Sequence, residues 1–133
     1  MRFKVELRGD AVVLADLNHS NETDFPVAEI RVVGESTNQN GPYAEDWFLC
    51  LCDESGWMEI PVESDGFQAF LEALAGRLGF SPALELVQSP DFESRVLWPA
   101  SLTTYPLFAY TSKWYKLSTR QQYSGPVWEF LKS

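Results

Sequence analysis

Trp47-Phe48-Leu49-Cys50-Leu51-Cys52 is six apolar residues in a row, closed on both sides by acidic ones, Glu45-Asp46 before and Asp53-Glu54 after. A run this short suits a strand covered on both faces better than a helix. Asp53-Glu54-Ser55-Gly56 then reads as a hairpin turn, with Gly56 supplying the positive φ that such turns need. Trp57 to Val62 alternates. Met58, Ile60 and Val62 fall on one face and Trp57, Glu59 and Pro61 on the other. Pro61 cannot donate to a ladder, which places this strand at a sheet edge.

A helix follows at once. Asp65 is a candidate N-cap, with Gln68 three residues on as in a capping box. Phe67, Phe70, Leu71, Leu74 and Leu78 recur on one helical face. Gly79 suits a left-handed stop, Phe80 can fold back as its apolar partner, and Pro82 prevents continuation. Start, stripe and stop agree on a helix over 66–78, and the stripe is the expected centre of the core.

Upstream, Arg2 to Arg8 reads as a strand with Phe3, Val5 and Leu7 inward. Gly9-Asp10 is a two-residue hairpin loop, and Ala11 to Leu17 returns as a second strand. Asn18 to Pro26 reads as a polar loop. Val27 to Val33 reads as a third strand with Ala28, Ile30 and Val32 inward. Glu35 to Asp46 reads as a second polar loop. Downstream, Ala83 to Gln88 fits a short strand or a helical turn. Val96 to Trp98 and Leu107 to Tyr110 fit strands, with Lys113 to Leu117 continuing the second. Pro126 to Lys132 fits a terminal helical turn or two. The expected architecture is one α+β domain over 1–133. An antiparallel sheet of five to seven strands carries the 66–78 helix on one face, and a PH-like small barrel is the weaker alternative.

With 133 residues, 45% of them apolar, the chain can bury a core without disulfides. No apolar run approaches the ~20 residues of a membrane span. The N-terminus lacks the apolar stretch of a secretory signal, so the expected location is cytoplasmic. Cys50 and Cys52 fall on the same face of one strand and read as buried free thiols. Asn18-His19-Ser20 and Asn21-Glu22-Thr23 match the glycosylation sequon, which carries little meaning in a cytoplasmic chain.

Catalytic signatures are missing. The single histidine, His19, sits in a polar loop with no orienting partner in sequence. There is no glycine-rich phosphate loop, dinucleotide fingerprint or EF-hand loop, so no cofactor or metal is expected. The charge map says more. The net charge is −9, and residues 1–88 hold 16 acidic against 5 basic residues while 89–133 hold 3 against 5. An acidic body repels nucleic acid and anionic membrane and steers toward a basic partner. Glu59 and Glu63 offer an acidic docking patch on the edge strand. The C-terminal part is aromatic-rich. Trp98, Phe108 and Tyr110 read as core, and Trp114, Tyr115 and Trp128 are candidate interface anchors beside Lys113, Lys116 and Arg120.

Two functions fit. The first is a non-catalytic protein-interaction module that uses Glu59, Glu63, Trp114, Tyr115 and Trp128. Its specific form is an inhibitor or immunity-type protein covering a basic partner, such as a nuclease. The second is a small-molecule binder or enzyme with an aromatic-lined pocket between sheet and helix or under the 35–46 loop. Pro61 discourages edge-to-edge pairing on its own strand, while the C-terminal aromatics offer a self-association patch, so the sequence leaves the oligomeric state open.

Overall fold

A computed structural model describes residues 2–37, 47–84, 94–103, 105–112 and 119–133. The fold is α+β. Its strands are β1 (Phe3–Arg8), β2 (Ala11–Asp16), β3 (Asn21–Pro26), β4 (Val32–Thr37), β5 (Trp47–Asp53), β6 (Gly56–Pro61), β7 (Ser94–Trp98), β8 (Phe108–Ser112) and β9 (Thr119–Tyr123). The helices are α1 (Phe67–Leu78) and α2 (Gly125–Leu131). The strands form three antiparallel sheets, ordered β1-β2-β3, β6-β5-β4-β7 and β8-β9, and none of them closes into a barrel among the described residues.

The apolar run at 47–52 builds the middle of the four-stranded sheet, and both of its faces are covered. Leu49 and Leu51 enter a first core with Val33, Ile60 and Leu97, against Phe70, Leu71 and Leu74 of α1 and Val5 and Val12 of the three-stranded sheet. Cys50 and Cys52 point the other way, into a second core with Val32, Val96, Leu107, Phe108 and, from α2, Val127 and Leu131. Strand alternation thus divides one continuous apolar sequence between two cores. Both thiols are free and buried, as their neighbours in sequence suggested.

The helix forms where its stripe requires. Phe67, Phe70, Leu71 and Leu74 are buried, and Leu78 packs at the margin of the first core. Its stop is as read. Gly79 takes a left-handed φ of 84°, and the amides of Gly79 and Phe80 both donate to the Ala75 carbonyl, at 2.8 and 3.1 Å. Its start differs. Gly66 occupies the N-cap position with no side-chain cap, and Asp65 instead accepts from Arg2 at 2.8 Å. The reason lies in the backbone of Asp65, which bridges to β1: its amide donates to Phe3 and its carbonyl accepts from Val5. That pairing turns the carboxylate toward Arg2.

Three further sequence readings need correction. Asn21–Pro26, expected within a loop, is β3. It is the edge of its sheet and almost wholly exposed, so polar residues cost nothing there, and pairing with β2 satisfies its backbone. Val27–Glu29, expected to begin a strand, is a 3-10 turn that carries the chain from one sheet to the next. Ile30 and Val32 are buried, but in different cores, and Ala28 is exposed. Glu35–Thr37, expected in a loop, completes the central strand β4, where all three residues are buried. The 85–88 and 113–117 readings lie outside the described residues.

β6 is an edge strand, as Pro61 required, and β3 is another. The Val62 amide donates to Trp47 at 3.0 Å, and the Val27 amide donates to Asp10 at 2.8 Å. In an antiparallel ladder the next backbone position faces away, so the nitrogens of Pro61 and Pro26 both point outward. Among the described residues, no helix is long and apolar enough to cross a membrane.

Candidate functional site

The β5–β6 hairpin, β8–β9 and α2 meet at one corner of the second core. Trp57 packs on Phe108 with ring centroids 4.7 Å apart and on Tyr123 at 5.1 Å. Tyr123 stacks on Trp128 at 6.5 Å with the two planes only 12° apart. The four rings form a ladder that runs outward from Phe108, 3% exposed, to Trp128, 43% exposed. Polar contacts fix the ladder in place. The Tyr123 hydroxyl shares its proton between the Asp53 and Gly56 carbonyls, at 2.9 and 2.6 Å, and so clamps the hairpin turn. The Trp57 indole nitrogen donates to Glu59 Oε1 at 3.1 Å. Asp53 accepts from Ser55 and Gly56 and shapes the same turn, leaving Glu54 exposed at its tip.

Three of the five candidate residues lie among the described ones. Glu59 is exposed on the edge strand, on the same face as Trp57 and beside the ladder. Trp128 is the outer rung. Glu63 is exposed but lies past the end of β6, in the turn toward α1, rather than on the strand. Trp114 and Tyr115 lie outside the described residues. The sequence reading missed Trp57 and Tyr123 as rungs. For Trp57 the signal was present, since it shares a strand face with Glu59. Tyr123 belongs to a strand that no apolar pattern announces, because β9 is Thr-Arg-Gln-Gln-Tyr.

The charges of the described side chains are lopsided. Arg2, Arg8, Arg77, Arg95 and Lys132 pair with Asp65, Glu6 and Glu22, Asp10, Glu35 and Glu129 respectively. Arg31 lies over the Phe130 ring at 5.2 Å and donates to the last carbonyls of α2, Phe130 at 3.4 Å and Leu131 at 3.5 Å. Asp24, Glu29, Glu54, Glu59 and Glu63 are exposed and make no ion pair among the described residues.

Other ionisable groups are accounted for structurally. Glu35 is fully buried, accepts from Arg95 at 2.6 Å and from the Trp47 indole at 3.1 Å, and so ties β4, β5 and β7 together. Arg95 continues to the Ala83 carbonyl at 2.7 Å. His19 is exposed and bonds Asp16 at 2.8 Å, which holds that carboxyl below its ordinary range. Burial pushes both thiols up, Cys52 to about 12. A thiol held neutral is a poor nucleophile and a poor metal ligand. No group of three or more metal-ligating side chains is assembled among the described residues.

An open groove of about 580 Å³ lies between α1 and the β5–β6 sheet, lined by Trp47, Val62, Phe67, Leu71 and Leu84 among others. Its polar side chains do not converge on a ligand position. The Ser64 hydroxyl is bonded to the Pro61 carbonyl, and the Gln68 amide reaches Glu72. No protein-family model, curated protein or solved structure matches this chain.

Proposed function

We propose that the chain is a non-catalytic interaction module that docks a basic protein partner, in the manner of an inhibitor or immunity protein. One observation carries this reading: Asp24, Glu29, Glu54, Glu59 and Glu63 are exposed and make no ion pair among the described residues, whereas Arg2, Arg8, Arg31, Arg77, Arg95 and Lys132 are engaged within the molecule and Lys4 alone among the described side chains stands as an exposed cation outside any ion pair. In a chain of net charge −9, that surplus raises the encounter rate with a basic surface and penalises acidic competitors. The aromatic ladder supplies what charge alone lacks, a rigid apolar anchor that resists dissociation.

The test is affinity capture from native extract at low and high salt, using the wild-type chain and Glu59→Lys/Glu54→Lys. A basic protein recovered by the wild type at low salt, and lost both at high salt and with the charge-reversed chain, is the expected outcome. Recovery that ignores both salt and charge reversal overturns the electrostatic reading.

A further inference from the structure

We propose that the Trp57–Tyr123–Trp128 ladder is a reader of arginine: a guanidinium of the partner stacks on the open face of Trp128 while a second basic side chain pairs with Glu59. This rests on the interaction reading above and names the chemistry of its contact.

Three features point to a guanidinium. First, Trp128 is 43% exposed, yet its ring is held parallel to Tyr123, which is itself pinned by its hydroxyl to the hairpin turn. An exposed indole held in place by such packing loses little side-chain entropy when a partner arrives. Second, the Glu59 carboxylate gives one oxygen to the Trp57 indole, and its other oxygen has no hydrogen-bond partner among the described residues. It is a positioned acceptor at the other end of the ladder. Third, the same helix already holds a guanidinium in this way, since Arg31 covers Phe130 and reaches the helix carbonyls. Phe130 is thus occupied from within, while no cation among the described residues covers Trp128.

Arginine is favoured over lysine because its planar, weakly hydrated group can stack on an indole and donate hydrogen bonds at once. The spacing adds a constraint. By way of Tyr123, the two indoles are at most about 12 Å apart, the reach of three to four extended residues. In an extended partner segment, basic residues up to three or four positions apart would match that span. The net charge of −9 disfavours a nucleic acid or an anionic membrane as the occupant.

The experiment titrates the full chain at low salt with nona-arginine and nona-lysine peptides by calorimetry, for the wild type, Trp128→Ala, Trp128→Phe and Glu59→Gln. Thermal melts confirm that each variant is folded. The expected result is tighter binding of the arginine peptide by about three- to fivefold. Trp128→Ala should abolish that preference, Trp128→Phe should keep part of it, and Glu59→Gln should weaken both peptides alike. Equal binding of both peptides, unmoved by Trp128→Ala, refutes the arginine reader and leaves the electrostatic docking reading standing. Binding of neither peptide refutes both.

Discussion

Glu35→Ala tests how the central sheet is held. Glu35 is fully buried, and its carboxylate accepts from Arg95 at 2.6 Å and from the Trp47 indole at 3.1 Å. Removing it leaves a guanidinium facing a hole and an indole N–H without that acceptor. Breaking one side of a buried ion pair costs about 3–5 kcal/mol, because the surviving charge has lost its solvation and gained nothing in return. The Arg95 side chain is 16% exposed and keeps its bond to Ala83, so part of its hydration is recovered. That places the expected loss near the lower end, about 3 kcal/mol. The companion Glu35→Ala/Arg95→Met removes the guanidinium as well and should return to within about 1–2 kcal/mol of the wild type. Urea unfolding followed by tryptophan emission gives all four corners of the double-mutant cycle. If Glu35→Ala costs less than about 1 kcal/mol, or if the two losses simply add, the pair is not the tie described here.

Three further outcomes follow from the cores. A Cβ on Gly34 would sit 2.8 Å from the Arg95 carbonyl oxygen and 2.6 Å from Leu107 Cδ2, and only the leucine can move aside. Gly34→Ala should therefore cost about 2–3 kcal/mol in denaturant unfolding, with Leu107→Ala unable to rescue it fully, whereas a neutral substitution would mean the β4–β7 ladder gives way easily. The thiols give a pH signature. Cys52 is held neutral up to about 12, against an ordinary value of 9.0, while the unfolded thiol ionises near that ordinary value. Its contribution to stability is complete below pH 9.0 and is lost as the pH climbs toward about 12, at roughly 1.4 kcal/mol per pH unit. Native Cys50 and Cys52 should react with a thiol reagent only as fast as the chain opens. Rapid labelling at neutral pH would show that the second core is not closed.

The legible parts of the fold are those where local pattern and tertiary role coincide. The 47–62 hairpin and α1 announce themselves because each apolar residue is buried in the period its element demands. The edge position of β6 follows from a single residue, Pro61. β3 was illegible because an exposed strand needs no apolar code and its partner strand supplies the order, and the sequence of β9 carries no apolar alternation either. Glu35 misled for the opposite reason. A carboxylate beside Ser and Thr reads as loop, and the partners that stabilise its burial, Trp47 and Arg95, lie 12 and 60 residues away. For the site, charge and exposure pointed to Glu59 and Trp128, but the ladder joining them depends on packing between three elements distant in sequence.

The outward-facing prolines at the ends of β3 and β6 restrict how this molecule can be approached. Beyond them, the outward amides on these edges belong to Glu22 and Asp24 on one and Trp57 and Glu59 on the other. A visiting strand would find a two-rung ladder that stops at a ring with no hydrogen to give. On these two edges so short a pairing is a poor seed for strand-by-strand addition. At these two edges any contact with another molecule falls to side chains, which can be changed one residue at a time.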